Sequence, residues 1–211
     1  MNYLEFKNTF REFPLISSSH IFNVSKNPQV LKNQLTKWQK KGLVIKLKRG
    51  LYVLNEKDRK INPSRIFIAN ALYSPSYISN EYCLSYYSLI PEMVQDLTSV
   101  TTKKTTIFEN SFGTFRYQHL KQELFFGFTK VKDENEYPVL IAEPEKAMLD
   151  FIYLNLQDFK DKEKDIFDLS YRFQNLERLK KKKLKDFAKR YNNKVILDIV
   201  NNLLSYIKEI S

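Results

Sequence analysis

Glycine is scarce: only four occur in 211 residues, and none falls in a GxxxxGK[ST] or GxGxxG arrangement, so the loops that cradle nucleotide phosphates are missing. A single cysteine, Cys83, excludes an intramolecular disulfide and suits a reducing compartment. Between Tyr82 and Leu84 on an apolar segment, it reads as a small core residue rather than a nucleophile. The two histidines, His20 and His119, have no cysteine, second histidine or spaced carboxylate that would complete a zinc site. His20, beside apolar residues, reads as packed or solvated. No apolar run approaches the roughly 18 residues of a membrane span, and the N-terminal residues lack a signal-peptide pattern. A soluble, cytoplasmic chain with no cofactor and no metal is expected.

What the chain has is positive charge, unevenly placed. The formal net charge is +11. Residues 1–60 carry 13 Lys+Arg against 4 Asp+Glu, residues 61–150 carry 8 against 11, and residues 151–211 carry 14 against 9. A basic module attached to a neutral or acidic body has this signature, and it points to a polyanionic partner. The length suits a small domain of about 60 residues and a larger one of about 150. No Gly/Ser- or Pro-rich linker appears, so the polar run Asn55-Glu56-Lys57-Asp58-Arg59-Lys60 is the expected junction.

The most informative stretch runs from Asn27 to Val53. Asn27 can cap a helix whose first position is Pro28, and Gly42 can end it by adopting positive φ. Leu31, Leu35 and Trp38 share one face, leaving Gln29, Lys32, Asn33, Thr36, Lys37 and Lys40 on the other. Lysines suit phosphates, whereas Gln, Asn and Thr suit base edges. The apolar run 43–47 and the run 51–54 then flank a turn at Arg49-Gly50, forming a hairpin with Lys46, Lys48 and Arg49 crowded at an exposed tip. A helix of this kind followed by a cationic hairpin is the layout of a winged helix, with helix 28–41 in a major groove and wing 46–52 on phosphates.

Tyr3, Leu4, Phe6, Phe10 and Phe13 have helical spacing and supply a first helix; Ser17, Ser18 and Ser19 precede a short second one at 20–24. Ser18 is a candidate phosphate contact, although capping accounts for these serines as well. In the body, Asn62-Pro63 opens a helix over 64–72, and 80–89 reads as a short buried helix. The runs 97–102, 105–108, 114–120, 124–128 and 139–142 are β-branched or aromatic and predict four or five strands, mainly antiparallel. Helices follow from Glu143 and near 164–173, 177–190 and 193–208, the third carrying the cationic run 178–185. The fold class is α+β: an N-terminal winged helix-turn-helix over 1–58, then a mixed domain over 59–211 with an antiparallel sheet and C-terminal helices.

Three segments carry a family resemblance. The wing Lys48-Arg49-Gly50-Leu51-Tyr52-Val53, the run Ser76-Tyr77-Ile78-Ser79-Asn80-Glu81-Tyr82-Cys83-Leu84-Ser85-Tyr86-Tyr87-Ser88-Leu89-Ile90-Pro91 and the run Ile141-Ala142-Glu143-Pro144-Glu145-Lys146-Ala147-Met148-Leu149-Asp150 together resemble the AbiEi-type antitoxins of type IV toxin-antitoxin systems. Asn80, Tyr82-Cys83 and Ser88 depart from that family's commoner small, aliphatic and glycine residues. The resemblance implies a bacterial autoregulator that binds inverted repeats in double-stranded DNA upstream of its own operon. It further implies a C-terminal domain for antitoxicity and a nucleotidyltransferase-like toxin as functional partner, with no stable complex between the two. The alternative class is a DNA-processing enzyme targeted by the winged helix. Glu143-Pro144-Glu145-Lys146 superficially suggests a nuclease, but Pro144 occupies the position where an acid is wanted, and helix capping with a salt bridge explains the run more simply. General nucleic-acid binding, including RNA stacked on strand aromatics, is the remaining alternative.

Overall fold

The computed structural model describes residues 1–24, 27–160 and 166–209. The chain is mixed α+β. Its first part comprises helices α1 (Tyr3–Phe10), α2 (Ser18–Val24) and α3 (Pro28–Lys40), with strands β1 (Ile16–Ser17), β2 (Val44–Lys48) and β3 (Leu51–Leu54). The strands form an antiparallel sheet in the order β1-β3-β2. α1 opens with a reciprocal cap: Asn2 accepts from the Glu5 N–H and Glu5 from the Asn2 N–H, both at 2.9 Å. Phe6, Phe10, Ile16, Leu31, Leu35, Trp38, Val44 and Leu54 bury one apolar cluster. The first helix stops before Phe13, which instead packs its ring on His20 with centroids 5.3 Å apart.

The body is built on a six-stranded sheet of β4 (Ser76–Ile78), β5 (Leu97–Thr101), β6 (Thr106–Asn110), β7 (Gly113–His119), β8 (Phe128–Lys132) and β9 (Pro138–Ala142), ordered β6-β7-β5-β4-β9-β8. Three of its five pairings are antiparallel, as expected, but β4–β9 and β5–β7 pair in parallel, so the sheet is mixed. Strand direction has no local signature, and β4, three residues long, is too short to show alternation.

The predicted strand over 124–128 is also displaced. Gln122–Leu124 is a 3-10 turn, Gly127 takes φ +72, and the strand begins at Phe128. The aromatic run is pulled in two directions: Phe125 and Phe128 pack on Tyr77, whereas Phe126 packs on Phe187.

Helices α4 (Arg65–Leu72) and α6 (Pro144–Leu154) cover opposite faces of this sheet. Tyr77 bonds to Asp150 of α6, while Tyr117, whose strand partner Ser99 pairs in turn with Ile78, donates to the Ala69 carbonyl of α4 at 2.6 Å. Ser64, not Asn62, caps α4, because the Asn62 oxygen is taken by Arg59 while Ser64 Oγ accepts from the Phe67 N–H at 3.1 Å. α5 (Asn80–Tyr86), α7 (Leu156–Lys160), α8 (Lys181–Arg190) and α9 (Lys194–Glu209) complete the layers. Of the helix expected near 164–173, positions 164 and 165 lie outside the described residues; Ile166–Ser170 is a single π-helical turn.

The junction at 55–60 is fixed against α1. Asp58 accepts from the Tyr3 hydroxyl at 2.6 Å and pairs with Lys7 at 2.6 Å, and the Lys60 N–H donates to the Arg11 carbonyl at 2.9 Å. Hydrogen bonding to Lys7, then to Tyr3, holds the Asp58 carboxyl below its ordinary pKa. None of the described helices is long and apolar enough to cross a membrane.

Candidate nucleic-acid interface

α3 presents two unlike faces. Leu31, Leu35 and Trp38 are buried, while Gln29, Lys32, Asn33, Thr36, Lys37 and Lys40 are all exposed. Asn27 Oδ1 accepts from the Val30 N–H at 3.3 Å to start the helix. At its end, Gly42 at φ +69 bonds back to the Gln39 carbonyl and the Leu43 N–H to the Trp38 carbonyl, so the chain turns sharply into β2. The exposed side chains are partly preset. Gln29 donates its amide to the Asn33 oxygen at 3.5 Å, which links the two residues suited to adenine edges. Thr36 donates back to the Lys32 carbonyl at 3.1 Å, turning its hydroxyl inward.

Between α2, α3 and the β2–β3 turn lies a groove of about 390 Å³, lined in part by Ser18, Phe22, Lys32, Thr36, Arg49 and Tyr52. Four sequence-selected residues therefore meet there: Ser18, Lys32, Thr36 and Arg49. Lys32 sits 5.6 Å from the centre of the Phe22 ring. Ser18 is held by its N–H to the Gly50 carbonyl at 2.9 Å, which ties the start of α2 to the hairpin turn. Gln29, Asn33, Lys37 and Lys40 continue the polar surface along the helix, and Lys46 is exposed on the hairpin. Residues 13–55 contain eight Lys/Arg and no Asp or Glu, so no carboxylate of this segment offsets the field.

Lys48 breaks the expected pattern. Its ammonium leaves the tip and donates to the Leu72 carbonyl at the end of α4, at 2.5 Å. The cause is an irregularity in the strand pairing: Lys46 faces Tyr52 but Lys48 faces Leu51, so one extra residue turns the following side chain to the other side. Burial, followed by repulsion from Lys103, lowers the pKa of Lys48. The tip is thus formed by Arg49 with Lys46, and Lys48 anchors the hairpin to the body.

No family model matches the chain, and no curated protein matches it.

The Glu143–Lys146 run is taken up by internal contacts. No side-chain cap forms at Glu143, which instead pairs with Lys183, while Glu145 accepts from the Lys180 N–H at 2.8 Å. Lys146 is fully buried and pairs with Asp150, one turn along α6. Asp150 also accepts from Tyr191 at 2.9 Å, Tyr77 at 3.0 Å and Ser79 at 2.8 Å. Lys146 lies 4.8 Å from the Phe126 ring centre and 4.9 Å from that of Tyr191. Burial lowers the Lys146 pKa while Asp150 raises it; burial and then Asp150 drive Tyr77 and Tyr191 far above the usual phenol range, so both remain donors. Sequence spacing signalled only the i,i+4 pair within this cluster. Its other members come from β4, the loop after it and the end of α8.

Cys83 is buried, with its thiol 3.5 Å from the Ala142 carbonyl, and burial raises its pKa. Among the described residues no group of three His, Cys, Asp or Glu is placed to hold a metal. In the cationic run 178–185, Lys180, Lys181, Lys182 and Lys185 are exposed, whereas Lys183 is paired with Glu143.

Proposed function

We propose that the chain is a sequence-specific DNA-binding autoregulator whose residues 1–58 act as a winged helix, and that it serves as the antitoxin of a type IV toxin-antitoxin system. One observation carries the DNA-binding part: the exposed polar face of α3 and the Arg49 hairpin tip border one groove on a segment without a single acidic residue. α3 enters a major groove, where Asn33 and Gln29 read base edges; Lys32, Lys37 and Lys40 engage phosphates from the helix, and Lys46 and Arg49 from the hairpin.

The antitoxin part rests on the resemblance to AbiEi-type proteins. In its support, two of the three resembling segments converge: Tyr77 and Ser79 of one hydrogen-bond to Asp150 of the other. The partner is a nucleotidyltransferase-like toxin, neutralised without a stable complex, and the operator is an inverted repeat upstream of the chain's own operon.

The deciding experiment is fluorescence anisotropy with the duplex upstream of the gene beside a scrambled duplex, at two salt concentrations. Selective binding that persists at the higher salt is expected. Equal, salt-labile binding to both duplexes would reduce the interaction to charge attraction and overturn the regulator reading. Rescue of growth on co-expression with a toxin encoded beside the gene tests the second half.

A further inference from the structure

The β1-β3-β2 sheet is buried on both faces. Ile16, Val44 and Leu54 belong to the N-terminal apolar cluster with α1 and α3, whereas Leu47, Leu51 and Val53 belong to the core of the body, together with Leu72 and Tyr77. Alternation along a strand produces this division, and here it binds one sheet to two cores. The hairpin is therefore not a free wing, because the side chains of its second face are part of the body's interior.

Polar contacts fix the hairpin along its length. Near the tip, Lys48 Nζ donates to the Leu72 carbonyl at the end of α4, at 2.5 Å. One residue earlier, the Leu47 carbonyl accepts from Asn110 Nδ2, at the end of β6, at 3.4 Å. At the base, the Leu54 carbonyl accepts from Arg59 at 3.1 Å, and the Arg59 guanidinium lies 5.4 Å from the centre of the Phe112 ring. Asn110 Oδ1 also accepts from the Phe112 N–H at 2.9 Å, so the β6–β7 turn that grips the hairpin is itself braced. Arg49, which borders the groove beside α3, directly follows the lysine tied to the body.

We propose that the body positions the hairpin for DNA, with Lys48 and Asn110 as positioning residues that hold Arg49 across the groove from α3. Neither side chain touches the duplex. A hairpin released from the body presents Arg49 for only part of the time, and the apparent affinity falls by that fraction. Coupling of this kind is reciprocal, so a bound duplex also tightens the hold of the hairpin on the body. The inference rests on the DNA-binding reading above and states how that site is regulated: a change at the end of α4 or in the β6–β7 turn alters DNA affinity without altering a DNA contact.

The test uses the full chain and the upstream duplex, with binding followed by anisotropy across a series of salt concentrations. Lys48→Met keeps an apolar stem and removes one donor; Asn110→Ala removes the other from a residue without charge. One net hydrogen bond shifts an equilibrium by roughly fivefold, so the double variant is expected to bind about tenfold more weakly or worse. The slope of log K against log salt stays at the wild-type value, because loss of a phosphate contact is what lowers it, by about 0.9. Lys48→Arg keeps a donor for the Leu72 carbonyl and restores the affinity. A purely structural role would lower the thermal midpoint and leave the affinity of the folded chain intact. Wild-type affinity in the double variant therefore overturns the proposal, as does a slope lowered by about 0.9 in Lys48→Met, which would make Lys48 a phosphate contact. If the double variant unfolds, hydrogen exchange of the wild-type chain decides: the duplex is expected to slow exchange at residues 110–113, and unchanged exchange there refutes the coupling. Failure of the wild-type chain to prefer its upstream duplex overturns the DNA-binding reading with it.

Discussion

Replacing Asp150 by asparagine preserves the side chain's shape while removing one buried charge. The carboxylate accepts from Lys146 and Tyr191 on one oxygen and from Tyr77 and Ser79 on the other. An amide offers only one oxygen, so its NH2 faces either the Lys146 ammonium, which cannot accept, or the Tyr77 and Ser79 hydroxyls, which must turn to accept from it. Lys146, with no exposed surface, then keeps its charge without a counter-ion or must lose its proton. Breaking a buried pair in this way costs about 3–5 kcal/mol. At about 2–4 °C per kcal/mol for a chain of this size, the thermal midpoint falls by about 6–20 °C. Lys146→Met in the Asp150→Asn background removes the stranded ammonium and allows the amide to serve the hydroxyls, so the double variant is more stable than Asp150→Asn alone. Thermal unfolding by circular dichroism and urea titration measure both effects. A shift below about 2 °C for Asp150→Asn, or no recovery in the double variant, would refute the account of this cluster as a charged pair stabilised by hydroxyl donors.

Three further outcomes follow from the hairpin, α3 and the junction. Asn33→Ala reduces discrimination between specific and scrambled duplex by about 1–3 kcal/mol, whereas Arg49→Ala weakens both alike and lowers the salt slope by about one; equal loss on both duplexes for Asn33→Ala removes its base-reading role. Gly50→Ala places a Cβ at φ +82 and 2.8 Å from Ser18 Oγ, destabilising the hairpin turn by about 1–2 kcal/mol, and an unchanged urea midpoint would contradict this. The depressed pKa of Asp58 contributes stability that is fully present above the ordinary carboxylate range and lost as pH falls through its folded value. Asp58→Asn therefore flattens the acid limb of the stability profile; an unaltered limb in a pH series of urea midpoints counts against it.

Much of the first 54 residues was legible because its signals are local. The spacing of Leu31, Leu35 and Trp38, the Asn27 cap and Gly42 define α3 within a residue of its expected end, and the charged outer face follows from the same periodicity. The strands β5, β7 and β9 were equally clear from β-branched and aromatic runs. Where the signals were not local, expectation and structure diverged. Asn62 resembled a cap until Arg59 claimed its oxygen, and the aromatic run at 124–128 looked like a strand until its rings were divided between Tyr77 and Phe187.

The same distinction runs through the candidate interface. Sequence alone determined which side chains of α3 reach solvent, because helical geometry assigns a face from spacing. It also determined that residues 13–55 are free of acid. Tertiary structure decided that Lys48 turns from the tip to the body, that Lys103 stands next to it, and that Lys146 is buried against Asp150 within reach of Tyr77 and Tyr191. The physical reason is the range of the information: a helical face is set by residues three or four apart, whereas a strand irregularity, a mixed sheet order and a buried charge depend on partners tens of residues away.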